Sequence, residues 1–174
     1  AGLAYCSKRR TSYYGYRNQQ YPNLNGIHKN THGTDNSQLI FPSYNHSDFT
    51  ETKHLQVVSS VDRLYALNVT TDKHIYRINL NDDGARPLIW LSLSQLARYI
   101  PNYMYGSVEV GGFFVDQEGR ALYITDHKPN GSIYRIPFND GPPGEERLLL
   151  EDLEVYFQGQ LRYPTQIQDR KSTR

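Results

Sequence analysis

IYRINLNDDG at residues 75–84 returns as IYRIPFNDG at residues 133–141, each copy downstream of a Leu-Tyr pair. Leu64-Tyr65 and Leu122-Tyr123 lie 58 residues apart, as do the two Ile-Tyr-Arg-Ile runs, so no gap separates these landmarks. Self-similarity at a fixed period is the mark of a repeated supersecondary unit. Working outward, HIYRINL (74–80) sets Ile75, Arg77 and Asn79 opposite Tyr76, Ile78 and Leu80, the period-two pattern of a strand. RLYALNV (63–69) alternates likewise, and LQVVSS (55–60) is a short apolar run before it. TTDK is a hairpin-sized break, and the Asn-Asp-Gly clusters accept turn conformations. ARPLIWLSL reads as another strand, and residues 93–100 as a turn or two of helix.

The second copy keeps this order: VEVGGFFVD (108–116), RALYITD (120–126) and SIYRIPF (132–138) as strands, then ERLLLEDL (146–153) as the start of the next. Residues 1–53 differ. They are rich in Asn, Gly, Ser, Tyr and basic residues, and only LIF at 39–41 resembles a buried strand. They read as an extended, irregular arm ordered by what it lies against. A second reading makes them adhesive or cross-linking, through Tyr13, Tyr14, Tyr16 and Tyr21 with Arg9, Arg10 and Arg17.

The expected fold is therefore all-β: a Tyr/Asn/Gly-rich arm over 1–53, then a β-domain over 54–174. That domain holds four-stranded antiparallel units at about 55–106 and 108–153, with a further strand over 154–167. An up-and-down meander of four strands is the blade of a β-propeller. FVDQEGRALYITDHKPNGSIYRIPFNDG resembles the six-bladed propellers of the YWTD, NHL and gluconolactonase-like (SMP-30) group, and more loosely the yellow and royal-jelly family. Val115-Asp116, Gly119, Tyr123, Thr125-Asp126, Arg135 and Gly141 fill the places of that pattern. In the copy at 57–90, Tyr65 and Arg77 match, while Leu67-Asn68 replaces Thr-Asp. Tyr65, Leu67, Ile75, Tyr76, Leu122, Ile124, Ile133 and Tyr134 should alternate between layers packed by neighbouring blades. Asp126 and Arg135 read as structural: a carboxylate accepting backbone amides or meeting an arginine across the hairpin.

Closed propellers need at least about four blades, and two are clear here, with LRYPTQI (161–167) opening a third. The chain is then a fragment, a ring completed by copies of itself or another chain, or an open stack. Each alternative predicts a protein partner, because open stacks expose apolar faces and strand edges.

Composition narrows the function. Nineteen basic against 18 acidic side chains give a net charge of +1, which provides no field for nucleic acid, and SKRR reads as a solvated tail. No apolar run reaches the ~18 residues of a membrane span. The sequence opens AGLAYC rather than with Met, as a processed secreted protein does. Asn45, Asn68 and Asn130 head glycosylation sequons beside expected turns. Cys6, the only cysteine, is a candidate for an interchain disulfide. His28 and His32 have metal-like spacing for a helix, but Gly26, Asn30 and Gly33 argue against one. The gluconolactonase-like resemblance implies a channel calcium, for which Glu109, Asn68 and Asp126 are the candidates, with the ligand set incomplete. No catalytic triad, nucleophile elbow or phosphate loop can be read. EDLEVYFQGQ (151–160) is similar to sequences cut by viral cysteine proteases, yet fits a native apolar strand.

The leading expectation is a secreted, non-enzymatic propeller-type protein making protein–protein contacts in an extracellular assembly, with no cofactor. The alternatives are a metal-dependent lactonase or esterase of the gluconolactonase-like kind, and a Tyr-rich matrix or adhesive component.

Overall fold

The computed structural model describes residues 2–42, 52–68, 74–82, 87–100, 110–139, 141, 146–165 and 167. Three four-stranded antiparallel sheets make up the fold. The first joins β1 (Leu3–Cys6), β2 (Thr11–Tyr16), β3 (Gly26–Thr31) and β4 (Ser37–Pro42) in sequence order. The second joins β5 (Thr52–Val58), β6 (Arg63–Asn68), β7 (His74–Asn79) and β8 (Leu88–Ser92), followed by a single-turn helix α1 (Leu93–Leu96). The third joins β9 (Val110–Asp116), β10 (Ala121–Asp126), β11 (Gly131–Pro137) and β12 (Glu154–Leu161). Two compact units result, residues 1–93 with the first two sheets and residues 94–174 with the third.

The 58-residue repeat is a repeat of pairing as well as of letters. Tyr65 pairs with Arg77 as Tyr123 pairs with Arg135, and Val58 pairs with Arg63 as Asp116 pairs with Ala121. Even the bulges coincide: Thr52 meets Asn68, and Val110 meets Asp126, one residue out of register with the pairs before them. Such bulges bend a strand and increase its twist.

The expected irregular arm is instead a third copy of the unit. Cys6 pairs with Thr11 and Leu3 with Tyr14, reproducing Val58 with Arg63 and Leu55 with Ala66 at an offset of 52 residues. Arg10, Asp62 and Arg120 occupy the same corner of the first hairpin and all have left-handed backbones, with φ of 49°, 50° and 52°. In each case a four-residue loop closes the hairpin, a length commonly built around a type I turn. A bulge in the third strand also recurs, between Ile27 and His28, Ile75 and Tyr76, and Ile133 and Tyr134. Ile27-His28-Lys29 thus corresponds to Ile75-Tyr76-Arg77 and Ile133-Tyr134-Arg135.

Two further expectations change. ERLLLEDL is not a strand: Leu148 makes one bridge to Phe138, and Leu150–Asp152 is a 3-10 turn. The strand expected over 154–167 is β12, the fourth of the third sheet, and Arg162–Thr165 are not strand, so LRYPTQI opens no further unit.

Within the first unit, the two sheets pack face to face. Cys6, Tyr13 and Ile27 of the first sheet meet Leu55, Leu64, Ala66, Tyr76, Ile78 and Leu80 of the second, with Ala4, Ile40, Phe41 and Val57 at the margin. Fully burying a large aliphatic or aromatic side chain contributes about 1.5–3 kcal/mol, so this layer is what holds the two sheets together. Near β5 the approach is close enough for the Gly2 N–H to donate to the Thr52 carbonyl at 3.1 Å. A Cβ on Gly15 would lie 2.9 Å from that of Thr52, which is why the position carrying Leu67 and Thr125 in the other copies is glycine here.

At the hairpin end, a polar latch joins the same two sheets. Lys8 Nζ reaches Asp62 Oδ2 at 2.9 Å, and Arg9 donates through Nε and Nη2 to Asp62 Oδ1 at 3.2 and 3.1 Å. Lys8 and Arg9 of SKRR, expected in a solvated tail, thus serve an inter-sheet contact. The hydrogen bond from Lys8, with that from Arg9 and both positive charges, holds the Asp62 carboxyl below its ordinary pKa of 3.8 against the opposing effect of burial. A folded-state pKa below the unfolded one contributes stability that is present above the unfolded pKa and lost as pH falls through the folded one. Acid titration of the wild type should therefore show a loss of stability below about pH 4 that Asp62→Asn lacks. Identical acid profiles for the two would show that the latch contributes nothing.

Candidate interaction face

The burial pattern of the third sheet is one-sided. Phe113, Val115, Leu122, Ile124, Tyr134 and Ile136 are buried on one face. On the other face, Phe114, Tyr123 and Ile133 are half-buried, and Phe157 is 40% exposed. Tyr156, the extra residue at the β12 bulge, is 62% exposed and sets its ring edge-on to Tyr123, with centroids 5.1 Å apart. Arg135 Nη1 donates to Glu154 Oε1 at 3.1 Å across the β11–β12 pair. Burial works against the Arg135 charge, but hydrogen bonds to Tyr123 and Glu154 outweigh it and raise the pKa. The result is an aromatic–aliphatic sheet face with one fixed ion pair, on a strand whose Val155, Tyr156 and Phe157 face solvent. Apolar surface grouped in this way marks contact sites, and Tyr and Phe are enriched at interface cores.

The other expected residues fall elsewhere. Tyr65 is buried against Trp90 with ring centroids 4.9 Å apart, and Arg77 is buried. Thr125 is buried, and its hydroxyl donates to the Gly112 carbonyl at 3.3 Å. Among the described residues, Asp126 neither accepts backbone amides nor meets an arginine. It ion-pairs through Oδ2 with Lys128 of the following turn, while its Oδ1 has no hydrogen-bond partner. That contact raises the Lys128 pKa. Burial, and then the Asp126 charge, raise that of Tyr134.

Among the calcium candidates, Glu109 lies outside the described residues, Asn68 and Asp126 fall in different compact units, and Lys128 already neutralises Asp126. No cluster of three metal-ligating side chains occurs among the described residues. His28 lies on a strand, with Nε2 at 2.7 Å from the Leu24 carbonyl and Nδ1 at 3.1 Å from Ser37 Oγ, while His32 packs against Tyr5. Both His28 nitrogens are therefore occupied.

Of the sequons, Asn45 lies outside the described residues. Asn68 is fully buried at the end of β6, which corrects its reading as a glycan site, since a glycan must project into solvent. Asn130 is exposed in the β10–β11 turn, with φ of 58°. Cys6 is also corrected: it is 0% exposed in the inter-sheet layer, with Sγ 3.5 Å from Ser59 Oγ. A thiol there cannot reach another chain without local unfolding. The native protein should leave Cys6 unreactive towards a colorimetric disulfide reagent, and denaturant should release one thiol per chain; prompt native labelling would contradict this packing.

Sequence reasoning missed Phe114, Tyr156 and Phe157. Their letters alone do not single them out: on β9 Phe114 shares its side with Gly112 and Asp116 while Phe113 and Val115 lie on the buried one, and on β12 the bulge breaks the alternation, so only the register shows which face they line. Among the described residues, no helix is long and apolar enough to cross a membrane. Neither the family models nor the curated proteins compared with this chain contain a match to it.

Proposed function

We propose that this is a secreted, non-enzymatic protein of the β-propeller type, resembling the YWTD, NHL and gluconolactonase-like group, that makes protein–protein contacts in an extracellular assembly. The observation that carries the reading is the open face of the third sheet, where Tyr123, Tyr156 and Phe157 present apolar surface that an isolated soluble chain has reason to cover. Three successive four-stranded meanders with matching hairpins and bulges support the propeller comparison. The exposed sequon at Asn130 is compatible with secretion. Multi-angle light scattering on material from its native source should give a particle heavier than the 20.2 kDa chain, with deglycosylation lowering the chain mass. A glycan-free particle of one chain would overturn the reading.

A further inference from the structure

The three copies of the unit allow each face to be compared position by position. In the first sheet, the face packed on the second carries Ala4, Tyr13, Ile27 and Phe41. Hairpin register takes Ala4 to Phe114 and Tyr13 to Tyr123. Pairing in the third and fourth strands takes Ile27 to Ile133 and Phe41 to Phe157. Each of these four positions is occupied in the third sheet by a residue at least as apolar and, at Ala4, larger, while the place of Cys6 at the hairpin end of the same face is taken by Asp116. Yet Tyr13 and Ile27 are 3% and 0% exposed, whereas Tyr123 and Ile133 are only half-buried and Phe157 is 40% exposed.

The receiving side of the same interface is equally defined. Leu64, Ala66, Tyr76 and Ile78 of the second sheet accept the first. Their counterparts in the third sheet, Leu122, Ile124, Tyr134 and Ile136, are buried. In the first sheet, however, the counterparts are Ser12, Tyr14, His28 and Asn30. His28 is tied to Leu24 and Ser37 and stacked on Tyr14, with centroids 5.5 Å apart, so this face is finished by its own polar network. Terminal repeats with a polar outer face are what ends a stack of units.

We infer that the open face of the third sheet receives a further four-stranded unit of the same repeat, with small and aliphatic side chains at the positions of Leu64, Ala66, Tyr76 and Ile78. This rests on the protein-contact reading above and adds the chemistry of the partner. A second copy of this chain does not supply that surface, because its first sheet offers Ser12, His28 and Asn30 there. The third sheet therefore offers the apolar face on which a further unit stacks.

The test builds the missing surface. A probe chain carrying Ser12→Leu, Tyr14→Ala and Asn30→Ile presents the receiving pattern on its first sheet, and Phe157→Lys blocks its own third sheet. Mixed with the wild-type chain, the probe should form a one-to-one complex in sedimentation velocity, with hydrogen-exchange protection rising over β11 and β12 of the wild type. Phe157→Lys in the acceptor should weaken that complex about tenfold or more, because it sets an unpaired charge against the apolar surface of the partner. If circular dichroism shows the probe unfolded, the Ser12→Leu/Asn30→Ile/Phe157→Lys chain takes its place. A folded probe that is not captured, or is captured equally by the Phe157→Lys acceptor, would overturn the inference. So would a wild-type chain that dimerises alone through Phe157, which would assign the face to a second copy. The contact reading itself fails separately, on the mass of the native particle.

Discussion

Ile27→Ala should cost about 2–5 kcal/mol of folding stability, while the same truncation at Ile133 should cost less than half as much. The two isoleucines hold one position of the repeated unit, each opposite the fourth strand at the same bulge. Ile27 is completely buried in the layer between the first two sheets, so its loss removes both transfer free energy and the contacts around the resulting cavity. Ile133 faces the open side of the third sheet, where a shortened side chain leaves surface rather than a void. Urea titration of the two variants, followed by tyrosine fluorescence and circular dichroism, reads the difference directly. Equal costs would mean that the face of Ile133 is covered in the free chain. That result would remove the basis for the proposed partner.

Gly26→Ala should be of comparable severity for a different reason. Gly26 begins β3 with φ of +141°, and a Cβ built there would lie 2.0 Å from the Phe41 carbonyl oxygen. Holding an L-residue in so sparsely populated a backbone region costs about 1–3 kcal/mol. Relieving overlap with backbone, which cannot rotate away as a side chain can, costs another ~1–3 kcal/mol. The register at stake is Gly26 with Pro42 and Ile27 with Phe41, which carries Phe41 into the inter-sheet layer. A drop in the urea midpoint with loss of amide protection over β3 and β4 is expected. A variant as stable as the wild type would show that these strands are not paired in this register.

How much of this was legible in the letters depended on which copy carried them. The second and third sheets kept Leu-Tyr and Ile-Tyr-Arg-Ile because both faces of those strands needed apolar or aromatic residues, and their hairpins kept equal lengths. The first copy lost both signals. Its outer face exchanged Leu64, Ala66 and Ile78 for Ser12, Tyr14 and Asn30, which erased the apolar alternation. Its second connection is four residues longer, since Thr11 pairs with Thr31 where Arg63 pairs with Asn79, so the period drifted as well. Only Ile27 survived from the Ile-Tyr-Arg-Ile run. The fourth strand of the last copy was displaced by a longer approach: Arg77 pairs with Leu88, but Arg135 with Glu154. The burial of Asn68 and Cys6 was invisible for another reason, since a sequon or a lone thiol says nothing of depth. The open face could be found only by comparing register across copies.

The left-handed corner shared by Arg10, Asp62 and Arg120 carries a lesson about inheritance. A main-chain path that accommodates arginine at one copy and aspartate at another is dictated by the curl of the loop rather than by any one side chain. In the middle copy the residue at that vertex was recruited as an anchor for its neighbour, with the underlying ribbon unchanged.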